Sequence, residues 1–253
     1  MKLQDSVIAV TGGGQGLGLS MAKHLASRGA NLALIDLVPE KLDEAVQACM
    51  NAGGTARAYV CNVAREEEVE STFTAIQNDF GRLNGLINNA GILRDGMLVK
   101  AKEGKVDKRM SLAEWQAVID VNLTGVFLCG REAATRMIEN GDEGVIINIS
   151  SISRHGNMGQ SNYSAAKAAV AALVVTWAKE LARHNIRAMG IAPGFIATDM
   201  VASMKPEALE KMAAGIPAKR LGQPEEIGQT AAFIFENDYL SGRVIDVDGG
   251  LRV

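Results

Sequence analysis

At 253 residues, 47% of them apolar and 22% charged, the chain has room for one large α/β domain that buries its own core without disulfide or metal staples. A net charge of -3 argues against general polyanion binding, so no nucleic-acid partner is expected. Cys49, Cys61 and Cys129 are odd in number, widely separated and without metal-ligand spacing, which argues against a disulfide framework or a bound metal and for a reducing, cytoplasmic compartment.

The first apolar run, residues 6–11, is too short and too soon broken for a signal peptide, and no later run reaches membrane-spanning length, so no membrane partner is expected. It reads as a strand. Thr11-Gly-Gly-Gly-Gln-Gly-Leu-Gly18 then joins it to a helix over 17–28. Glycines allow a tight turn and a close backbone approach to a pyrophosphate, and the helix start offers unpaired N–H groups. Gly12, Gly14, Gln15, Gly16, Leu17 and Gly18 are therefore the candidate dinucleotide cradle. A second strand, 31–36, ends on Asp36, followed by Leu37. A carboxylate there accepts hydrogen bonds from both ribose hydroxyls and repels a 2′-phosphate, and Gln15 supplies no cation for one. Both features favour NAD(H) over NADP(H).

Further strands are expected at 58–62, 85–89, 144–150, 187–192 and 243–247, and helices at 39–52, 65–80, 112–139, 161–184 and 224–235. Most of the strands are continuous apolar runs rather than alternating ones, the pattern of strands covered on both faces. The alternation predicts a single α/β domain over 1–253, a doubly wound, seven-stranded parallel sheet of Rossmann type. Ser111 with Glu114 reads as a capping box starting the fourth helix. One segment interrupts the rhythm, a charged insertion at 97–110. Within it Lys-Ala-Lys-Glu-Gly-Lys-Val-Asp-Lys-Arg at 100–109 carries five basic and two acidic residues, a local charge of +3, with no apolar periodicity. It reads as a solvated surface loop or, alternatively, as a lid over the site.

Tyr163-Ser-Ala-Ala-Lys167 puts a phenol and an ammonium at i and i+4 on one helix face. A nearby cation favours the phenolate and is expected to lower the tyrosine pKa. With Thr11–Gly18, Asn88-Asn-Ala-Gly91, Asn122 in Asn-Leu-Thr-Gly-Val-Phe, Ser151 after Ile147-Asn-Ile, and Pro193-Gly-Phe-Ile-Ala-Thr198, this set resembles the short-chain dehydrogenase/reductase family along essentially the whole chain. The resemblance implies that Tyr163 is the acid/base at the substrate oxygen. Ser151 hydrogen-bonds that oxygen, Lys167 binds the nicotinamide ribose, and Asn122 holds a relay water. It implies that Asn89, Ala90 and Gly91 line the adenosine side, and that Pro193, Gly194, Ile196 and Thr198 border the nicotinamide. Asn62 and Val63 stand at the adenine, where the family usually has Asp-Val. The serine-to-tyrosine interval, 12 from Ser151, becomes the family's usual 13 if counted from Ser150; the strand ends at Ser151, which is the residue chosen.

His24 reads as structural. His155, Met97, Met158, Met200 and Met204 fall where the resembled family builds its substrate pocket. The nearest likeness within the family is to the beta-ketoacyl carrier-protein reductases, carried by Gly156-Asn-Met-Gly-Gln-Ser-Asn-Tyr163 and Ala192-Pro-Gly-Phe-Ile-Ala-Thr-Asp-Met200. It implies a 3-oxoacyl thioester reductase or 3-hydroxyacyl dehydrogenase acting on a carrier-protein or CoA thioester. The alternatives are an NAD-dependent dehydrogenase of a free secondary alcohol, polyol or cyclic ketone, and a non-catalytic NAD-binding scaffold. Those reductases commonly place basic residues near the positions of Asp142 and His184. The helices at 112–139 and 161–184 carry apolar residues on more than one face, among them Val121, Phe127, Val170 and Leu173. With the resemblance, they predict a homotetramer.

Overall fold

The computed structural model describes residues 1–198 and 206–252. In chain order they form β1 Val7–Thr11, α1 Gly16–Ala26, β2 Asn31–Asp36, α2 Pro39–Asn51, β3 Ala56–Val60, α3 Glu66–Phe80 and β4 Gly85–Asn88. A hairpin follows, β5 Val99–Lys102 and β6 Lys105–Arg109, then α4 Leu112–Ile119, α5 Gly125–Asn140, β7 Gly144–Ile149, α6 Ser161–Glu180 and β8 Ile186–Pro193. The described chain closes with α7 Pro206–Gly215, α8 Pro224–Glu236 and β9 Val244–Val247.

Seven strands make one sheet in the order β3-β2-β1-β4-β7-β8-β9, and every pairing is parallel. β1 shows why the strands read as unbroken apolar runs. Ile8 and Val10 enter a core beneath Met21 and Leu25 of α1, Leu42 of α2 and Ile227 of α8. Val7 and Ala9 enter a second core with Val69 and Phe73 of α3 and Cys129 and Met137 of α5. Each fully buried Leu, Ile or Phe contributes about 1.5–3 kcal/mol, so both faces are covered at a gain. The strand order reverses between β1 and β4, which opens the crevice beyond their carboxyl ends where such sheets bind ligands.

The expected helix at 112–139 is one continuous rod only in outline. Its start is the anticipated capping box, with Ser111 Oγ accepting from Glu114 N at 3.1 Å and Glu114 Oε2 accepting from Ser111 N at 2.8 Å. A π turn, Asp120–Thr124, then separates α4 from α5. A 3.6-residue periodicity is blind to such a widening, which recurs at functional sites. The third strand ends at Val60, two residues before the expected 62, because Asn62 Oδ1 accepts from Ala64 N at 3.0 Å and turns the chain. The helix expected to reach 184 stops at Glu180 and tightens into a 3-10 turn, Ala182–His184. α7 was not anticipated; its residues whose side chains are described are exposed or half-buried, so no buried stripe marks it.

The segment at 100–109, expected as a loop, is an antiparallel two-stranded hairpin exposed along both strands. Its two-residue turn holds Glu103 at φ 52 and Gly104 at φ 74, the type I′ conformation. Glu-Gly is a poorer signal for that turn than Asn-Gly or Asp-Gly, and with no buried face the charged residues hide the strand pattern.

Candidate active site

The candidate residues converge at the carboxyl ends of the parallel strands. Thr11 ends β1, and the glycine loop runs into α1. At Gly18 a Cβ would lie 2.0 Å from Gly12 O, so only glycine lets the helix start so close beneath the turn. The Asn89 amide braces the loop from β4, donating to Thr11 O and Gly12 O, each at 3.1 Å. Thr11 Oγ1 accepts from both Asn89 N and Ala90 N at 3.0 Å. Asn89 and Ala90 thus support the loop besides lining it.

Asp36 ends β2 beside the glycine loop. Its Oδ2 accepts from Gly14 N at 3.0 Å and its Oδ1 from Leu37 N at 2.7 Å, which fixes the carboxylate against the glycine loop. Leu37 beside it is exposed and offers no cation. Gln15, Gly16 and Leu17 form the entry to α1. Asn62 turns the chain beyond β3, and Val63 is buried, packed against Gly125 of α5.

Asn122 lies in the π turn, fully buried. Its Oδ1 accepts from Ile92 N at 2.8 Å and its Nδ2 donates to Ile92 O at 3.0 Å. Both ends of the amide thereby brace the chain just after Gly91. Ser150 and Ser151 have different tasks. Ser150 Oγ donates to Lys167 O at 2.8 Å inside the core. Ser151 caps the 3-10 turn Ile152–His155 by accepting from Ser153 N at 3.1 Å, and its hydroxyl faces the Tyr163 phenol. The strand end therefore brings Ser151, and not Ser150, to the phenol.

Tyr163 and Lys167 project from α6. Lys167 Nζ lies 5.6 Å from the centre of the Tyr163 ring and donates to Ile149 O at 2.7 Å. The protein groups by themselves do not lower the phenol. Burial holds Tyr163 above its ordinary value, the Ser151 hydroxyl opposes that, and the Asp95 carboxylate adds to it. Burial instead pushes Lys167 down to about 8. The expectation of a lowered tyrosine fails because the ammonium is itself desolvated and points at a backbone carbonyl.

Beyond β8, Pro193 and Gly194 pass β9, where a Cβ on Gly194 would lie 2.7 Å from Asp248 Cα. Ile196 is buried and bridges to Gly222, and Thr198 N donates to Ile196 O at 2.8 Å. Met97, His155 and Met158 are exposed. Met200 and Met204 lie outside the described residues.

Two groups of supporting contacts had no sequence signal. Arg154, between Ser151 and Tyr163, pairs with Asp246 of β9 at 2.7 Å and donates to Ser151 O at 3.3 Å. Asp95 accepts from Gln160 at 3.0 Å, while the buried Asn162 donates to Arg94 O at 3.0 Å and Glu114 O at 3.2 Å. Both join residues distant in the chain. Asn162 itself belongs to a motif quoted above, but its partners do not.

Residues 12–252 match the family described as Enoyl-(Acyl carrier protein) reductase. The chain belongs to the short-chain dehydrogenase/reductase family. Among its relatives in that family is the 3-oxoacyl-[acyl-carrier-protein] reductase FabG of Thermotoga maritima, 39% identical and covering 100% of both chains. The 3-oxoacyl-[acyl-carrier-protein] reductase of Homo sapiens is 38% identical over 98% of this chain and 99% of its own. Among solved short-chain dehydrogenase/reductase structures, levodione reductase superposes with a TM-score of 0.88 at 36% identity, over 98% of this chain and 97% of its own. A putative gluconate dehydrogenase from Agrobacterium tumefaciens gives 0.89 at 36% identity, over 98% and 96%. As a short-chain dehydrogenase/reductase the chain is an oxidoreductase of carbonyl and alcohol groups that uses a nicotinamide cofactor. The braced glycine loop and the fixed Asp36 carboxylate suit the adenosine half of that cofactor. No described helix is long and apolar enough to cross a membrane.

Proposed function

We propose that the protein is an NAD(H)-dependent reductase of 3-oxoacyl thioesters, working in reverse as a 3-hydroxyacyl dehydrogenase, in the cytoplasm. The carrying observation is the meeting of Ser151, Tyr163 and Lys167 at the ends of β7 and α6. When bound, the nicotinamide supplies or accepts the hydride. The side chains manage the oxygen. Ser151 and Tyr163 donate to the substrate carbonyl, which steadies charge as it becomes an alkoxide. Tyr163 then gives up its proton. Burial supports that role, since it keeps the phenol protonated at neutral pH. Lys167 binds the ribose and presents positive charge below the phenol as it ionises. Asn122 holds Ile92, and with it the loop after Gly91. NAD(H) is favoured by Asp36, whose charge opposes a 2′-phosphate. Thioester substrates are favoured by the names of the full-length relatives.

A second reading, a dehydrogenase of a free cyclic ketone or polyol, is favoured by the names of the two solved structures. Phe127 and Val175, exposed on α5 and α6, support assembly as a homotetramer through those helices. The deciding experiment follows NADH oxidation with 3-oxoacyl thioesters and with cyclic ketones. Tyr163→Phe is expected to remove nearly all turnover while NADH still binds. Retention of a tenth of the activity refutes the proton donor, and turnover of ketones alone refutes the thioester reading.

A further inference from the structure

The hairpin formed by β5 and β6 sorts its residues by face. Lys100 stands opposite Lys108 and Lys102 opposite Lys105, while Ala101 stands opposite Val106 and Val99 opposite Arg109. Residues directly opposite share a face. One face therefore carries Lys100, Lys102, Lys105 and Lys108. Like charges directly opposite weaken a strand pair, and an isolated two-stranded hairpin is marginal in water. Glu103 adds a non-glycine residue at φ 52. Compensation is partial, with Asp107 on Lys100 and Glu114 on Lys108, each at 3.1 Å. Among the described residues no carboxylate pairs with Lys102 or Lys105. Departures from local pairing rules concentrate at functional or strained sites, and an exposed charged face points here to an external partner.

The hairpin is also tied to the site through the chain that leads into it. The chain leading into it is latched beside Tyr163, with Gly96 N donating to Gly159 O at 2.8 Å and Gln160 Nε2 donating to Asp95 Oδ2 at 3.0 Å. Leu98, Val106 and Leu112, at its base and along its other face, are 67%, 61% and 77% exposed. Bare apolar side chains beside a charged face suit a protein partner better than a small phosphate.

We infer that the lysine face of this hairpin docks an acidic protein that carries the acyl chain and presents its thioester to Tyr163. This rests on the 3-oxoacyl thioester reading above. The test is the double variant Lys102→Glu, Lys105→Glu, which reverses the two unpaired charges and leaves both ion pairs intact. It is assayed with one 3-oxoacyl group on an acidic carrier protein, on CoA and on the neutral thiol N-acetylcysteamine. KM for the carrier-protein thioester is expected to rise about tenfold at low salt, with kcat unchanged. That difference is expected to fade at high salt, and the N-acetylcysteamine thioester to be unaffected. An unchanged carrier KM overturns the inference. So does a rise confined to CoA, which marks a small phosphate site, or a loss of assembly by light scattering, which marks an interface between copies. If the unmodified enzyme reduces none of the three, the function reading fails first, before any variant is made, and the docking inference falls with it.

Discussion

Ser150 and Ser151 are adjacent in sequence, yet the structure gives them separable tasks, so exchanging each for alanine has different expected consequences for turnover. Ser151→Ala removes a donor at the position where negative charge develops. Loss of one such donor costs roughly 2.7–4 kcal/mol, or roughly a hundredfold to a thousandfold in kcat. Its fold contribution is one buried contact, the cap on Ser153 N at 3.1 Å, so the variant is expected to lose about 0.5–1.5 kcal/mol of stability as well. Ser150→Ala removes a buried hydroxyl whose 2.8 Å bond to Lys167 O ties β7 to α6. A hydrogen bond of that kind contributes about 0.5–1.5 kcal/mol, which lowers Tm by roughly 2–4 °C per kcal/mol in a domain of this size. The catalytic groups stay in place, so kcat is expected to remain within a few-fold of the parent. Steady-state reduction at saturating NADH and thermal unfolding of both variants measure these outcomes. A hundredfold loss in Ser150→Ala with near-normal Ser151→Ala overturns the assignment and places the family's usual interval of 13 in this chain.

Three further outcomes are expected. NADH is preferred over NADPH by at least tenfold in kcat/KM, about 1.4 kcal/mol, and Asp36→Ala with Leu37→Arg narrows or inverts the ratio; equal use by the parent enzyme contradicts the role given to Asp36. Arg154→Leu and Asp246→Asn each lower kcat more than they raise KM, and the double variant is no worse than the worse single one, because both act through the placement of Ser151; simple additivity in a double-mutant cycle refutes that coupling. Lys167 has an ordinary value of 10.5 and a folded value of about 8, so the folded protein binds fewer protons than the unfolded chain between those pH values. Stability from this group rises with pH across that window, and the advantage of Lys167→Met over the parent is expected to shrink from pH 8 to 10.5. An advantage independent of pH rules out a buried, charged Lys167.

Much of the molecule is legible in the chain because its signals are local. Continuous apolar runs separated by amphipathic stretches specify strands covered on both faces, and the sheet order follows from short, right-handed crossovers. Glycines at the first strand end, Asp36 at the second, and the i, i+4 spacing of Tyr163 and Lys167 lie on single elements, so the chain marks them, and the family resemblance gives them their expected roles. What the tertiary structure decided is wherever two distant segments meet. The choice of Ser151 depends on the Ser150 hydroxyl reaching Lys167 O across β7 and α6. The task of Asn122 depends on the π turn facing Ile92, thirty residues earlier in the chain. The Arg154–Asp246 pair joins the catalytic turn to the last strand. The tyrosine pKa shows the same division. The sequence places a lysine one helical turn away and suggests a lowered phenol, but a pKa answers to solvent exclusion and to where the ammonium points. Burial is a property of the packed assembly, and here it raises the phenol and lowers the lysine.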